Sequence, residues 1–154
     1  MQILQVARSK GIFPAVMDVT DETSVCDTIA AAVAARGPIQ ICVANARIAE
    51  GQALYKTDLA LWKRIMATNL DGTFLTIREC FKSMRGTDWG RVIAVASIAG
   101  GRGLKGAGAY SASKHGVIGY SLVSNKMLRW PVESAAYLSR MQWQLWFRPI
   151  AMRV

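Results

Sequence analysis

Short apolar runs alternate with longer segments of helical period along this chain. Residues 12–17 (Ile-Phe-Pro-Ala-Val-Met) make a brief apolar run closed by Asp18, the pattern of a buried strand. Asp21, Glu22, Thr23 and Ser24 then mark a helix start with acids in the first turn. Val25, Ile29 and Val33 carry its apolar positions to a stop at Gly37-Pro38. A second apolar strand is expected over 39–44, followed by a polar loop from Asn45 to about Thr57. Asp58 is placed to cap one long helix, in which Leu61, Ile65, Met66, Leu70, Phe74, Ile77 and Phe81 recur at helical spacing. Glycines 86 and 90 end it, and 91–96 (Arg-Val-Ile-Ala-Val-Ala) form a third apolar strand. A loop dense in glycine follows (Gly100, Gly101, Gly103, Gly106, Gly108), then a helix from about Tyr110.

Short apolar strands that alternate with helices imply a parallel sheet covered on both faces. Right-handed crossovers make it a doubly wound α/β layer. Ligands of such sheets bind beyond the carboxyl ends of the strands. Three segments meet that condition: Asp18-Val19, Asn45 onward and Ser97 onward.

Composition narrows the classes. With 154 residues, 52% hydrophobic and 19% charged, the chain is one domain's worth of globular sequence and not a disordered one. No apolar run approaches the ~18 residues of a membrane span. The first residues do not read as a signal peptide. Cys26, Cys42 and Cys80 lie far apart and His115 is the single histidine, which argues against a zinc site or a disulfide framework. No metal and a reduced, cytoplasmic setting are expected. The formal charge of +9 reads as a basic surface, since no nucleic-acid module is visible.

The candidate chemistry lies on the last helix and the strand ends. Tyr110 and Lys114 are spaced i, i+4, so they share a helix face. A cation beside a phenol favours its ionised form and suits it to proton transfer. Ser97, thirteen residues before Tyr110, can hydrogen-bond a carbonyl or alkoxide oxygen. Asn69 is a polar residue inside the long apolar helix. Taken singly, each has a plain reading as a surface or core position. His115, next to Lys114, points about 100° away around the helix and reads as having no catalytic duty. Arg102 and Lys105 read as solvated loop charges.

Taken in order, the segments resemble the short-chain dehydrogenase/reductase family. They are Asp18-Val19-Thr20-Asp21, Val43-Ala44-Asn45-Ala46, Thr68-Asn69-Leu70, Ala96-Ser97-Ile98-Ala99-Gly100 and Tyr110-Ser111-Ala112-Ser113-Lys114. In look the chain is nearest to 3-oxoacyl-carrier-protein reductases. The resemblance implies a Rossmann-like fold, here lacking the first strands and the C-terminal strands. It implies Tyr110 as general acid/base, Ser97 holding the substrate oxygen and Lys114 beside the tyrosine and the nicotinamide ribose. Asn69 is implied to position a water in a proton relay. NAD or NADP is the implied cofactor, with Asp18 and Val19 at the adenine and Asn45 and Ala46 beside the adenosine ribose. A small alcohol or ketone substrate is implied, as is a homo-oligomer through the long helix and the Tyr-bearing helix. The other reading is a catalytically inactive fragment that serves in dimerisation or interaction.

Three departures bear on these expectations. The family's opening strand and its glycine-rich pyrophosphate turn are absent, as is the residue that selects NAD or NADP. Its Asn-Ala-Gly segment reads Asn45-Ala46-Arg47. The resemblance covers 1–120, a partial Rossmann-like core, whereas 121–154 read as a non-family tail. That tail is explained either as an out-of-frame translation of a family C-terminus or as an aromatic, basic segment with a job of its own; membrane attachment is not the expected one.

Overall fold

The computed structural model describes residues 12 and 14–127. Helix α1 spans Glu22–Arg36, strand β1 Ile41–Ala44, helix α2 Leu59–Met66, helix α3 Gly72–Met84, strand β2 Arg91–Ala94 and helix α4 Gly108–Met127. Short 3-10 turns occupy Leu54–Lys56 and Ile98–Gly100. The helix starts follow their side chains. Asp21 caps α1 by accepting from the Thr23 N–H at 3.0 Å, and Asp58 caps α2 by accepting from the Leu61 N–H at 2.7 Å. Gly37 ends α1 at φ +84°, a left-handed conformation that a side chain would disfavour, and returns its N–H to the Val33 carbonyl.

Strands β1 and β2 pair in parallel, with Cys42 opposite Val92 and Ala44 opposite Ala94. The alternation of a strand sends Cys42, Ala44, Val92 and Ala94 to one face. There they join Ile77, Cys80 and Met84 of α3 and Val117 of α4 in the core. Ile41 and Val43 on the other face are 56% and 54% exposed. The expectation of a sheet covered on both faces therefore holds on one face only among the described residues. The helices described here cover the side that Cys42 and Ala44 present.

Two other expectations are corrected. Residues 12–17 form no ladder among the described residues, and Val16 is 97% exposed. In a doubly wound sheet of order 3-2-1-4-5-6, the third strand pairs with the second, and the fourth with the first. Neither of those neighbours is among the described residues, and the apolar run lies beside α1, where the Thr28 hydroxyl donates to the Val16 carbonyl.

The long helix is not continuous. A π turn at Ala67–Asp71 separates α2 from α3. Such wide turns insert where the i→i−4 ladder yields to other bonds. Here the Thr73 hydroxyl donates to the Asn69 carbonyl at 2.7 Å, and the Asn69 side chain is drawn outward to two other segments. Helix α4 runs without interruption to Met127. The expected tail lies, from residue 128, outside the described residues. No helix among the described residues is long and apolar enough to cross a membrane.

Candidate active site

The carboxyl ends of β1 and β2 open into two loops, and four buried polar side chains fix where those loops go. Asn69 is fully buried in the π turn. Its Oδ1 accepts from the Ile48 N–H at 2.9 Å and its Nδ2 donates to the Ile48 carbonyl at 3.0 Å. The same Nδ2 donates to Ser113 Oγ at 3.0 Å, and the Ser113 hydroxyl donates to the Tyr110 carbonyl at 2.7 Å. One amide thus ties the loop after β1, the π turn and the first turns of α4 together. A buried asparagine is tolerated because its polar atoms are satisfied.

The loop after β2 is held against α4 from its other side. Ser97 caps the short turn by accepting from the Ala99 N–H at 3.2 Å. Gly100 then packs its backbone onto α4: a Cβ there would stand 2.6 Å from the Lys114 carbonyl oxygen. Glycine is required for that approach, which holds the turn that begins at Ser97 against α4. The Ser111 hydroxyl adds a bond from the Leu104 N–H at 3.3 Å.

Lys114 is 1% exposed, and its Nζ donates to the Val95 carbonyl at 2.7 Å, just past the end of β2. Burial pushes the ammonium below its usual range, and the Arg47 guanidinium adds to that depression. Tyr110 and Ser97 are half-buried. Arg47 is exposed on the loop that Asn69 pins. His115 is exposed, with Nδ1 at 2.8 Å from the Ser111 carbonyl.

A cavity of about 180 Å³ opens between the turn after residue 17 and the end of β1. Met17, Val19, Val43, Ala44, Asn45, Ala46, Gly72, Thr73 and Thr76 line it. Val19 reaches α3 because Gly72 has no side chain: a Cβ there would stand 2.8 Å from Val19 Cγ2. Asp18 is not part of the wall. Its carboxylate accepts from the Thr20 N–H at 2.9 Å and the Thr20 hydroxyl at 2.7 Å, and these bonds hold it below the usual carboxylate range.

The structure thus brings Asn69, Ser97, Tyr110 and Lys114 to the ends of β1 and β2, and sets Val19, Asn45 and Ala46 in one cavity wall. Asp18 stands beside that cavity with its carboxylate turned to Thr20. Ser113, which bridges Asn69 to Tyr110, was not among the residues singled out from the sequence. Its position inside the Tyr-to-Lys spacing was the available signal. The backbone of Ile48 and the carbonyl of Val95 carry no side-chain signal at all.

A parallel α/β layer with this constellation defines a class, and comparison gives it a family. The chain belongs to the short chain dehydrogenases, whose family model matches residues 2–129. The 3-oxoacyl-[acyl-carrier-protein] reductase MabA of Mycobacterium tuberculosis is 32% identical over 110 residues, 71% of this chain and 44% of that protein. Among solved structures, an actinorhodin polyketide ketoreductase with NADPH is 31% identical at a TM-score of 0.76. An NAD+-bound xylitol dehydrogenase is 25% identical at a TM-score of 0.75. Each of these matches covers 81% of this chain and 49% of the solved one. The chain spans about half the length of the relatives it matches.

Proposed function

We propose that this chain carries the reacting residues of a nicotinamide-dependent oxidoreductase that interconverts a hydroxyl and a carbonyl on a small molecule. Lys114 is the observation that carries the reading. A buried ammonium is costly unless it is held by bonds and used. Here it is anchored to the Val95 carbonyl at the sheet's carboxyl end, one turn beyond Tyr110 on the same helix. An ammonium has three donors, and the Val95 bond uses one.

The residues present fit NAD or NADP, the cofactor the family implies. The cavity beside Val19 is close to the size that accepts one aromatic ring, about 150 Å³. Asn45 gives its wall a polar side chain and Ala46 a close backbone. Lys114 offers its remaining donors to a ribose hydroxyl. When bound, the dinucleotide supplies or takes up the hydride.

The protein's own part is positional and protonic. Tyr110 gives its phenolic proton to the substrate oxygen in reduction and takes it back in oxidation. Ser97 donates to that same oxygen; its Oγ already accepts from Ala99, which leaves its hydrogen for the substrate. Lys114 keeps positive charge beside the tyrosine. Asn69 is a positioning residue, since its amide sets the loop after β1 and, through Ser113, the carbonyl of Tyr110. The relay water implied for Asn69 belongs to this same reading.

The similar reductase and ketoreductase act, by their names, on oxoacyl and polyketide carbonyls, so a ketone on a thioester-linked acyl chain is the substrate class to test first. Pairing of two copies would use α3 and α4. Phe74 of α3 is 39% exposed and meets Tyr120 of α4 edge-on at 5.9 Å. Titrating the purified chain with NADH and NADPH, read by quenching of tryptophan emission, tests the cofactor half of the reading. Saturable binding in the micromolar range is expected. A folded sample that binds neither at millimolar cofactor overturns it.

A further inference from the structure

Thr73, Asn69 and Ser113 are buried polar residues joined end to end. Thr73 belongs to the wall of the cavity beside Val19. Its hydroxyl donates to the Asn69 carbonyl at 2.7 Å. The Asn69 Nδ2 donates to Ser113 Oγ at 3.0 Å, and the Ser113 hydroxyl donates to the Tyr110 carbonyl at 2.7 Å. One line of bonds thus runs from the cavity wall to the backbone of Tyr110.

The direction of the line is fixed. The Ile48 N–H can only donate, so it selects the oxygen of the Asn69 amide and leaves Nδ2 to face the other way. One Nδ2 hydrogen goes to the Ile48 carbonyl and the other to Ser113. Ser113 Oγ therefore accepts, and its own hydrogen is left for the Tyr110 carbonyl. Breaking any link strands a buried polar group. Among the described residues no buried side-chain polar atom lacks a partner.

The π turn that carries Asn69 is also seated by close packing on both sides. Leu70 lies against α4, where a Cβ on Gly116 would stand 2.9 Å from its Cδ2. Gly72, just past the turn, admits Val19 of the cavity wall. A shift of Thr73 is therefore passed on to the first turns of α4. Thr76 lines the same wall, but its hydroxyl donates to the Gly72 carbonyl at 2.8 Å and is no part of the line.

We propose that Thr73 and Ser113 are positioning residues for Tyr110: the hydrogen bonds from Thr73 to Asn69, from Asn69 to Ser113 and from Ser113 to the Tyr110 carbonyl let the wall of the ligand cavity set where the proton donor stands. The inference rests on the reading of Tyr110 as that donor, and it gives Thr73 a part beyond lining the cavity.

Nuclear magnetic resonance of the full chain, grown with ring-13C tyrosine, tests it. The sequence has four tyrosines, and the spectrum of Tyr110→Phe identifies the signal of Tyr110. Thr73→Val keeps the shape and loses the hydroxyl, whereas Thr73→Ser keeps the hydroxyl. Ser113→Ala removes the last link, and Thr76→Val removes a hydroxyl outside the line. Circular dichroism establishes that each variant is folded. Thr73→Val and Ser113→Ala are expected to shift the Tyr110 signal, and the double variant to shift it no further than Ser113→Ala alone, as members of one chain do. Thr73→Ser and Thr76→Val are expected to leave it in place. In NADPH-dependent reduction of acetoacetyl-CoA, a ketone on a thioester, Ser113→Ala is expected to lower kcat about tenfold with KM unchanged, inside the ~10²-fold that a misplacement of about 1 Å costs.

A Tyr110 signal that stays in place in folded Thr73→Val overturns the inference. So does an equal shift in Thr76→Val, which would make the effect a general loosening of α3. If Ser113→Ala does not fold, the pair Thr73→Val and Thr73→Ser decides alone. The reading beneath fails separately: if Tyr110→Phe turns over like the unaltered chain, the donor is another group, and the line of bonds has no donor to position.

Discussion

Asn69 holds Ile48 by both of its backbone groups, accepting the N–H at 2.9 Å and donating to the carbonyl at 3.0 Å. The pairing resembles one rung of a sheet ladder, made by a side chain. Replacing Asn69 with Leu leaves the half-buried N–H and carbonyl of Ile48 and the buried Ser113 hydroxyl short of partners. We expect a loss of about 2–4 kcal/mol in urea unfolding, at the usual ~1–3 kcal/mol for each unsatisfied buried group. A loss under ~0.5 kcal/mol, the level of an ordinary surface change, would show that the loop after β1 is held by something else.

Gly100 sets the distance between the Ser97 turn and α4. Gly100→Ala places a methyl group 2.6 Å from the Lys114 carbonyl oxygen, and that oxygen is backbone that cannot swing aside. The turn must move. Overpacking of this kind costs about 1–3 kcal/mol. Because Ser97 rides on the turn, kcat should fall more than KM rises. Unchanged stability together with unchanged kcat would contradict the close approach.

Lys114 binds its proton less tightly folded than unfolded, because burial and Arg47 both disfavour the charged form. Between the lowered folded value and the ordinary 10.5, the unfolded chain binds more protons, so this group makes stability rise with pH. Lys114→Met lacks the effect. The stability of the unaltered protein relative to Lys114→Met should therefore increase as pH is raised toward 10.5. A difference that is flat or shrinks over that range would mean the ammonium is well solvated or paired.

Glu79 links α3 to α1 through a small charge network. It accepts from Lys82 at 2.8 Å and from Arg78 at 2.7 Å, and Arg78 also donates to Glu22 of α1 at 2.6 Å. The Lys82 bond, followed by Arg78, holds the Glu79 carboxyl below its ordinary range despite burial. The resulting stability is complete above the usual value of 4.5 and is lost as pH falls through the lower folded value. Glu79→Gln should cost about 1 kcal/mol at neutral pH, since its partners are partly exposed, and close to nothing in acid. Equal cost at both pH values would assign the effect to packing.

How much of this was legible in the sequence depends on whether a feature is local. The caps at Asp21 and Asp58, the stop at Gly37 and the two paired strands were readable because each rests on residues a few positions apart. Residues 12–17 have a strand's composition, but a strand exists only with a neighbour, and no pattern of apolar residues states which neighbours are present. The break at Asn69 was invisible for a related reason. Leu61 to Phe81 keep one helical period across it, whereas the bonds that open the turn reach Ile48 and Ser113, far away in sequence. That Tyr110 and Lys114 share a helix and that Ser97 follows the third apolar run could be read locally, whereas their roles came only from the family resemblance. The carbonyl that anchors Lys114 could not, because every residue has one.

Carbonyl reduction followed by loss of NADPH absorbance, with the unaltered chain and Tyr110→Phe, tests the central claim most directly. Removing one phenolic oxygen leaves the Asn69–Ile48 and Lys114–Val95 bonds intact, so the variant should fold and bind cofactor like its parent. Its turnover should drop by about 10²–10⁴, the contribution of a positioned acid. Turnover by the unaltered chain that Tyr110→Phe matches would contradict the assignment of Tyr110 as the proton donor.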